Sequence, residues 1–325
     1  MDYQIIATLG PNSDREPTWQ AMLATGATGF RLNTSHLSLS QLESWVERLG
    51  AFIAAQDPPP PLVLDLQGSK WRLGQFPECV LTHGQRVTLV CAASADCPGT
   101  LPVPHPDFFR AASASSGEIV LNDAKLRLVL ESQEAEALCA RVTTGGAILP
   151  RKGITYTAST YRQESLGGMD QAVLRHTQHL VGIRYALSYV KDAVEMAHYR
   201  TQIGRSADLI AKLERQPALD EAARIAESAD ELWLCRGDLG AELGSKAMAE
   251  AVHRFSGGVH AMPAPVLLAG EVFEHMTEHA VPTRSELCGA YDALMMGYCG
   301  FVLSDETAIG RDPVGSCRVA ALFRG

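Results

Sequence analysis

Eight short apolar runs, each paired with a stretch of helical periodicity, constrain this chain more than any other feature. The runs fall at 5–9, 29–32, 62–64, 183–188, 209–211, 232–234, 266–268 and 300–303. The helical patterns fall at 16–25, 40–55, 168–180, 191–204, 217–228, 246–256, 284–296 and 313–323. In the second of these, Leu42, Trp45, Val46, Leu49, Phe52 and Ile53 form one apolar stripe. Ser40 and Glu43 stand at capping-box spacing at its start. Strand followed by helix, repeated eight times, is the pattern of an α/β (β/α)8 barrel. A doubly wound open sheet is the alternative, and eight regular units favour closure.

One stretch breaks the alternation. Residues 69–157 show little helical periodicity, and 86–90, 118–121, 126–130 and 138–142 read as strands between turn-forming residues. The expected organisation is a barrel from 1–68 and 158–325 with a small all-β domain, 69–157, inserted after the third strand. Without the insert about 235 residues remain, against roughly 250 for such barrels.

Composition excludes several function classes. The chain is 46% hydrophobic and 20% charged with a net charge of −9 and no basic block, which disfavours nucleic-acid binding. No basic leader precedes the first apolar run and no stretch is long enough for a membrane span, so a cytoplasmic protein is expected. Eight cysteines without CxxC or metal-ligand spacing read as buried thiols of a reducing compartment.

In barrels of this kind chemistry sits where strands end, and here those ends are polar. Strand two ends Arg31-Leu32-Asn33-Thr34-Ser35-His36, where Arg31, Asn33 and Ser35 share a face. Strand three ends at Asp65, strand five at Lys212-Leu213-Glu214, strand six at Arg236-Gly237-Asp238, and strand eight at Ser304-Asp305-Glu306-Thr307. Glu214 and Asp238 are hard oxygen donors suited to Mg²⁺ or Mn²⁺, with substrate and water completing the octahedron. Lys212 suits a transferring phosphoryl group or an enolate oxygen, and Arg31 suits a phosphate. Asn33, Ser35 and Asp65 suit a monovalent cation or the positioning of nucleotide phosphates. Taken singly, each has a plain structural reading: Lys-x-Glu is a salt bridge, Arg-Gly-Asp a turn. Their joint occurrence at several strand ends favours a site.

These residues, in this order, resemble the pyruvate kinase family. Ile6-Ala7-Thr8-Leu9-Gly10-Pro11 is similar to its opening strand, and Arg31 to His36 to its R-x-N-x-S-H segment. Leu64-Asp65-Leu66-Gln67-Gly68-Ser69-Lys70-Trp71-Arg72 resembles its LDLQGPKIR. Leu121-Asn122-Asp123 and Arg151-Lys152-Gly153 match landmarks of its β-rich domain. Lys212-Leu213-Glu214, Arg236-Gly237-Asp238-Leu239-Gly240, Pro282-Thr283-Arg284 and Ser304 to Thr307 complete the series. The resemblance implies Mg²⁺-dependent phosphoryl transfer between phosphoenolpyruvate and ADP, a glycolytic reaction, with the β-rich insert as a lid. It implies Lys212 and Arg31 as catalytic, Gly237, Asp238 and Gly270 at the substrate, and Glu214 and Asp238 on the divalent metal. Asn33, His36, Arg72 and Lys152 would meet the nucleotide, and Asn33, Ser35 and Asp65 a monovalent cation. In the family, Lys at the position of Lys70 goes with independence from potassium, so K⁺ is not expected to be required. A small-molecule substrate, no nucleic acid, no membrane, and room for a homodimer through the barrel follow as well.

Three departures qualify the resemblance. The chain ends after the eighth helix, so the family's C-terminal domain and its sugar-phosphate regulation are not expected. After strand seven a T-A-T-Q-M-like segment is replaced by Leu268-Ala269-Gly270-Glu271-Val272, which puts Gly270 at a substrate-binding threonine. Ser304-Asp305-Glu306-Thr307 replaces S-G-E-T, and Arg215 stands where the family has Asn. These changes keep open a divergent metal-dependent enzyme on a phosphoenolpyruvate-like or 2-oxoacid substrate, such as a lyase, decarboxylase or altered kinase. A non-catalytic regulatory paralogue is the third reading, opposed by the retention of Lys212, Glu214 and Asp238.

Overall fold

The computed structural model of the chain describes residues 1–112, 117–122, 125–134, 137–157 and 166–325. It divides into two compact units, one of Met1–Gly68, Leu166–Arg236 and Glu250–Gly325, the other of Ser69–Ser165 and Gly237–Ala249. The boundary expected at 157/158 falls beside residues 158–165, which lie outside the described set, as does Asp123.

The first unit holds a closed barrel of eight strands, every neighbouring pair parallel. They are β1 Gln4–Leu9, β2 Gly29–Asn33, β3 Leu62–Leu66, β4 Ile183–Leu187, β5 Asp208–Leu213, β6 Glu231–Cys235, β7 Val266–Ala269 and β8 Gly300–Leu303. Because side chains alternate along a strand, the register sorts the barrel interior into layers. The middle layer is apolar: Ile6, Val63, Ala186, Ile210, Trp233, Leu267 and Val302 pack into one buried cluster. Two residues along each strand toward its C-terminal end, the same face carries Thr8, Arg31, Asp65 and Lys212. The period of 2 that buries the core therefore also aims the chemistry into the mouth.

The opposite, N-terminal end is closed by a buried polar knot. Glu231 is 2% exposed and accepts from Gln4 Nε2 at 2.9 Å and Trp233 Nε1 at 2.6 Å. Arg184 reaches Glu231 at 3.4 Å and Asp208 at 2.8 Å. These partners are what make a buried carboxylate tolerable at the barrel floor.

Two local expectations are corrected. The helix after β2 spans Leu39–Ala54 and is capped by Ser38 and Gln41, two residues earlier than the Ser40/Glu43 pair. Ser38 has extended backbone and its side chain accepts from Gln41 N, while Gln41 Oε1 accepts from Ser38 N. Both pairs fit the motif, and the extended Ser38, just past the turn Thr34–His36, is the one that starts the helix. The cysteines are all free, yet Cys97, Cys288 and Cys299 are exposed and only Cys235 and Cys317 are buried.

The second unit is richer than four strands. A six-stranded sheet runs in the order Ile154–Tyr156, Glu118–Leu121, Leu126–Glu134, Ala137–Thr144, Arg86–Val90 and Thr100–Pro102, beside a pair of Cys79–Leu81 and Gly146–Ile148. It also contains a helix, Pro106–Ala112, whose Phe108 is buried edge-on against Trp71 and whose Phe109 is buried against Phe108. Seven residues are too few for periodicity to reveal, which is why the stretch read as all-β.

Candidate active site

The C-terminal mouth of the barrel carries a compact charge network built around Asp65 at the end of β3. Arg31, from β2, donates to Asp65 Oδ2 through Nε at 2.8 Å and Nη2 at 2.5 Å, and through Nη1 to Thr8 Oγ1 at 2.8 Å. Lys212, from β5, lies 3.1 Å from Asp65 Oδ2 and 2.9 Å from Glu214 Oε1, and donates to Ser188 Oγ at 2.8 Å. Ser188 in turn donates to Asp65 Oδ1 at 3.0 Å. Glu214 Oε2 accepts from the Tyr189 N–H at 2.7 Å. Two cations and two carboxylates thus balance within one buried cluster.

Burial and pairing oppose each other at Asp65, Lys212 and Arg31, and pairing prevails. Burial works to raise the Asp65 carboxyl, but Lys212 and Arg31 hold it down at about 2. Burial works to lower Lys212, but Asp65 and Glu214 raise it above the ordinary lysine value. Arg31 is likewise raised by Asp65 against its own desolvation. Lys212 therefore carries a fixed positive charge, suited to holding an anion rather than passing a proton.

The backbone around the network is locked. Gly68 has φ +58°, and a Cβ there would stand 2.1 Å from the Ser188 carbonyl oxygen, so only glycine lets the exit of β3 lie against the exit of β4. The N–H groups of Gln67 and Gly68 both donate to the buried Asp170 carboxylate at 2.9 Å. Thr34 Oγ1 holds the Asp65 carbonyl at 2.7 Å.

Of the residues singled out in the sequence, Arg31, Asp65, Lys212 and Glu214 come together here. Asn33 instead caps its own turn, accepting from Ser35 N at 3.2 Å, and His36 is exposed at the end of that turn. Ser35 Oγ is buried without a hydrogen-bond partner. Gly270 ends β7 with φ +78° and is followed by Glu271 at φ +54°. Arg236, at the end of β6, donates to the carbonyls of Gly270 at 2.8 Å and Glu271 at 2.7 Å. Gly237 and Asp238 lie in the first turn of a helix, Arg236–Leu243.

Within the second unit, Lys70 Nζ donates to Asp238 Oδ1 at 2.5 Å, both side chains being nearly buried. Arg72 donates to the Arg151 carbonyl at 3.0 Å and leaves its buried Nε without a partner. Lys152 lies on the turn before Ile154–Tyr156, its carbonyl accepting from Leu73 N at 2.9 Å.

Ser188, Thr8 and Asp170 were missed by sequence reasoning. Ser188 had a signal: it follows Ala186 by two on β4, as Lys212 follows Ile210 on β5. Asp170 had none, because its partners are backbone groups far away in sequence.

Glu214 accepts one hydrogen bond at each oxygen and keeps a second lone pair on each, which fits a hard divalent cation. Among the described residues no group of three or more His, Cys, Asp or Glu could hold a metal by itself. A divalent ion here would be completed by substrate and water. For a monovalent cation the unsatisfied Ser35 Oγ fits, whereas both Asp65 oxygens are already engaged.

Comparison with known proteins follows the same lines. The family model described as pyruvate kinase, barrel domain, matches residues 2–317. A pyruvate kinase of Methylorubrum extorquens is 30% identical over 313 residues, covering 96% of this chain and 65% of its own length. One of Aeropyrum pernix is 30% identical over 318 residues, covering 96% and 68%. Pyruvate kinase 2 of Synechocystis is 27% identical over 327 residues, covering 98% and 55%. The chain thus spans about two thirds or less of these relatives. Among the described residues no helix is long and apolar enough to cross a membrane.

Proposed function

The chain belongs to the pyruvate kinase family, and from that premise we propose that it catalyses metal-dependent phosphoryl transfer between phosphoenolpyruvate and ADP, giving pyruvate and ATP. The observation that carries the reading is the buried Arg31–Asp65–Lys212–Glu214 network at the barrel mouth. A loose phosphoryl-transfer transition state needs positioned positive charge more than covalent chemistry. Lys212 supplies a charge that Asp65 and Glu214 keep permanently protonated. It stabilises the migrating phosphoryl oxygens and then the enolate oxygen left behind. Asp65 orients Lys212 and Arg31, so that Arg31 presents its guanidinium edge to the phosphoryl group.

Glu214 and Asp238 would hold Mg²⁺ or Mn²⁺, which when bound supplies Lewis-acid stabilisation of phosphoryl and enolate oxygens. Gly237 and Gly270 line the substrate. Asn33, His36, Arg72 and Lys152 meet the nucleotide, and the unpartnered Nε of Arg72 suits a phosphate oxygen. Ser35 and Asn33 would offer oxygens to a monovalent cation, with Asp65, engaged by Arg31, Lys212 and Ser188, lending it only charge, and the Lys70 ammonium would make potassium unnecessary. A strict K⁺ requirement would contradict this last point.

A second reading has one specific observation behind it. Gly270 and Glu271 are consecutive left-handed residues directly after β7. A threonine at Gly270 would be strained there, since β-branched residues avoid positive φ. The hydroxyl is therefore absent by backbone design, which favours a bulkier 2-oxoacid relative of phosphoenolpyruvate.

The test is pyruvate release from phosphoenolpyruvate and ADP, followed with a coupled dehydrogenase while Mg²⁺ is titrated. Saturable Mg²⁺ dependence, weakened by Glu214→Gln, is expected. No release at any metal concentration would move the assignment to the second reading.

A further inference from the structure

The loop after β7 is held in an unfavourable shape by two side chains that play no part in the charge network. Glu271 is a non-glycine residue at φ +54°, next to Gly270 at +78°. Such a conformation is unfavourable for an L-residue and persists only where the surroundings fix it. From one side Arg236 grips the carbonyls, with Nε at 3.1 Å and Nη2 at 2.8 Å from Gly270 O, and Nη2 at 2.7 Å from Glu271 O. From the other side Glu306, 1% exposed, accepts the Phe273 N–H at 3.4 Å and the Ser304 N–H at 2.9 Å. Phe273 is fully buried and meets Phe301 of β8 edge-on at 6.2 Å, which anchors the far end of the loop.

We propose that Arg236 and Glu306 are positioning residues that jointly set the loop 270–273, Arg236 through its carbonyls and Glu306 through its N–H, and so shape the substrate end of the mouth. The proposal rests on the function proposed above only for the loop's part in turnover. The clamp itself is a property of the fold.

The two grips differ in how they respond to protons. Arg236 stays charged. Glu306 accepts both N–H groups fully only as a carboxylate, because the hydroxyl of the acid form presents a proton to one of them. Burial pushes its carboxyl up to about 7, against the backbone hydrogen bonds that favour the charge. The ionisable groups that act on it are Asp305 on its own turn, Arg236 just after β6 and Cys317 on the closing helix; Glu271 and His275 stand near the loop in sequence. Above neutrality the clamp is tight; below it the Phe273 or the Ser304 N–H faces the weaker acceptor of a protonated oxygen.

Hydrogen exchange of the peptide covering 269–276, corrected for intrinsic rates, tests this on the whole protein. Exchange about tenfold faster at about pH 6 than at about pH 8 is expected for the wild type, the ratio following the fraction of ionised carboxylate. Glu306→Gln abolishes the difference, and His275→Gln retains it. Arg236→Lys, which offers a single ammonium in place of a fork, speeds exchange at both pH values. A pH-independent wild type, or a difference that survives in Glu306→Gln, would overturn the role of Glu306 even if the second variant folded poorly. Unchanged exchange in Arg236→Lys would overturn that of Arg236. Where phosphoenolpyruvate and ADP are turned over, kcat shows a limb near neutrality that vanishes in Glu306→Gln; a limb that stays overturns the loop's part in turnover. Absence of turnover sinks the proposed function and leaves the exchange result to decide the clamp.

Discussion

Asp65 is the residue on which the mouth depends, and its ionisation gives a signed prediction. Its carboxyl is held at about 2 in the fold against an ordinary value of 3.8. A lowered folded pKa stabilises above the unfolded value, and that contribution is lost as pH falls through the folded one. Roughly 2 kcal/mol should therefore disappear between pH 4 and 2, as the shift converts at 1.36 kcal/mol per unit. Denaturant unfolding across that window checks it, and Asp65→Asn should remove the slope. Glu306 has the opposite sign. Raised from 4.5 to about 7, it stabilises below 4.5 and that contribution fades as pH climbs to 7. Arg184 offers a third case, at the far end of the barrel. Arg184→Leu leaves Glu231 buried without its cation and should cost about 3–5 kcal/mol of stability. Because it lies away from the mouth, KM for substrate should stay unchanged; a large rise in KM would show that the floor network reaches the site.

At the scale of elements, the strands were legible because a buried parallel strand needs a short apolar run; seven have one of three residues or more, and only β2 is broken, by Arg31. The sites at their ends were legible for the same periodic reason: Lys212 and Glu214 continue the face of Ile210. What the sequence hid was decided by tertiary geometry. Ser38 and Ser40 both fit a capping box, and only the extended backbone of Ser38 chooses between them. Ser38→Ala should cost about 1 kcal/mol, whereas Ser40→Ala should cost a few tenths, measurable as a difference in Tm. The helix Arg236–Leu243 was hidden because Arg-Gly-Asp reads locally as a turn. The left-handed pair Gly270–Glu271 is half visible: a glycine stands in place of a hydroxyl residue, but nothing local requires its φ, and the Arg236 guanidinium that holds its carbonyl comes from 34 residues away. Gly270→Thr should for that reason lower Tm rather than restore a substrate contact, with a cost of about 1–2 kcal/mol.

At the scale of the molecule, each compact unit has a core of its own. Trp71, Phe108 and Tyr156 are buried in the second unit, and Ile6, Trp233 and Val302 in the barrel. Two cores predict two cooperative openings in hydrogen exchange. Phe108→Ala, which removes a fully buried ring packed edge-on against Trp71, should cost about 3–5 kcal/mol and lower protection in the second unit alone. The barrel unit ties its ends together without that core. Tyr3 donates to the Ala320 carbonyl at 2.7 Å and accepts from the Phe323 N–H at 3.2 Å.

The central claim is that Lys212, fixed in charge by Asp65 and Glu214, carries metal-dependent phosphoryl transfer. Phosphorus NMR of the purified protein with phosphoenolpyruvate, ADP and Mg²⁺ tests it most directly. The account predicts that the phosphoenolpyruvate resonance declines as the γ-phosphate of ATP grows. With Lys212→Ala that conversion should fall by about a thousandfold, the scale of losing one preorganised charge. An unchanged spectrum with wild-type protein, or conversion undiminished in Lys212→Ala, would contradict it.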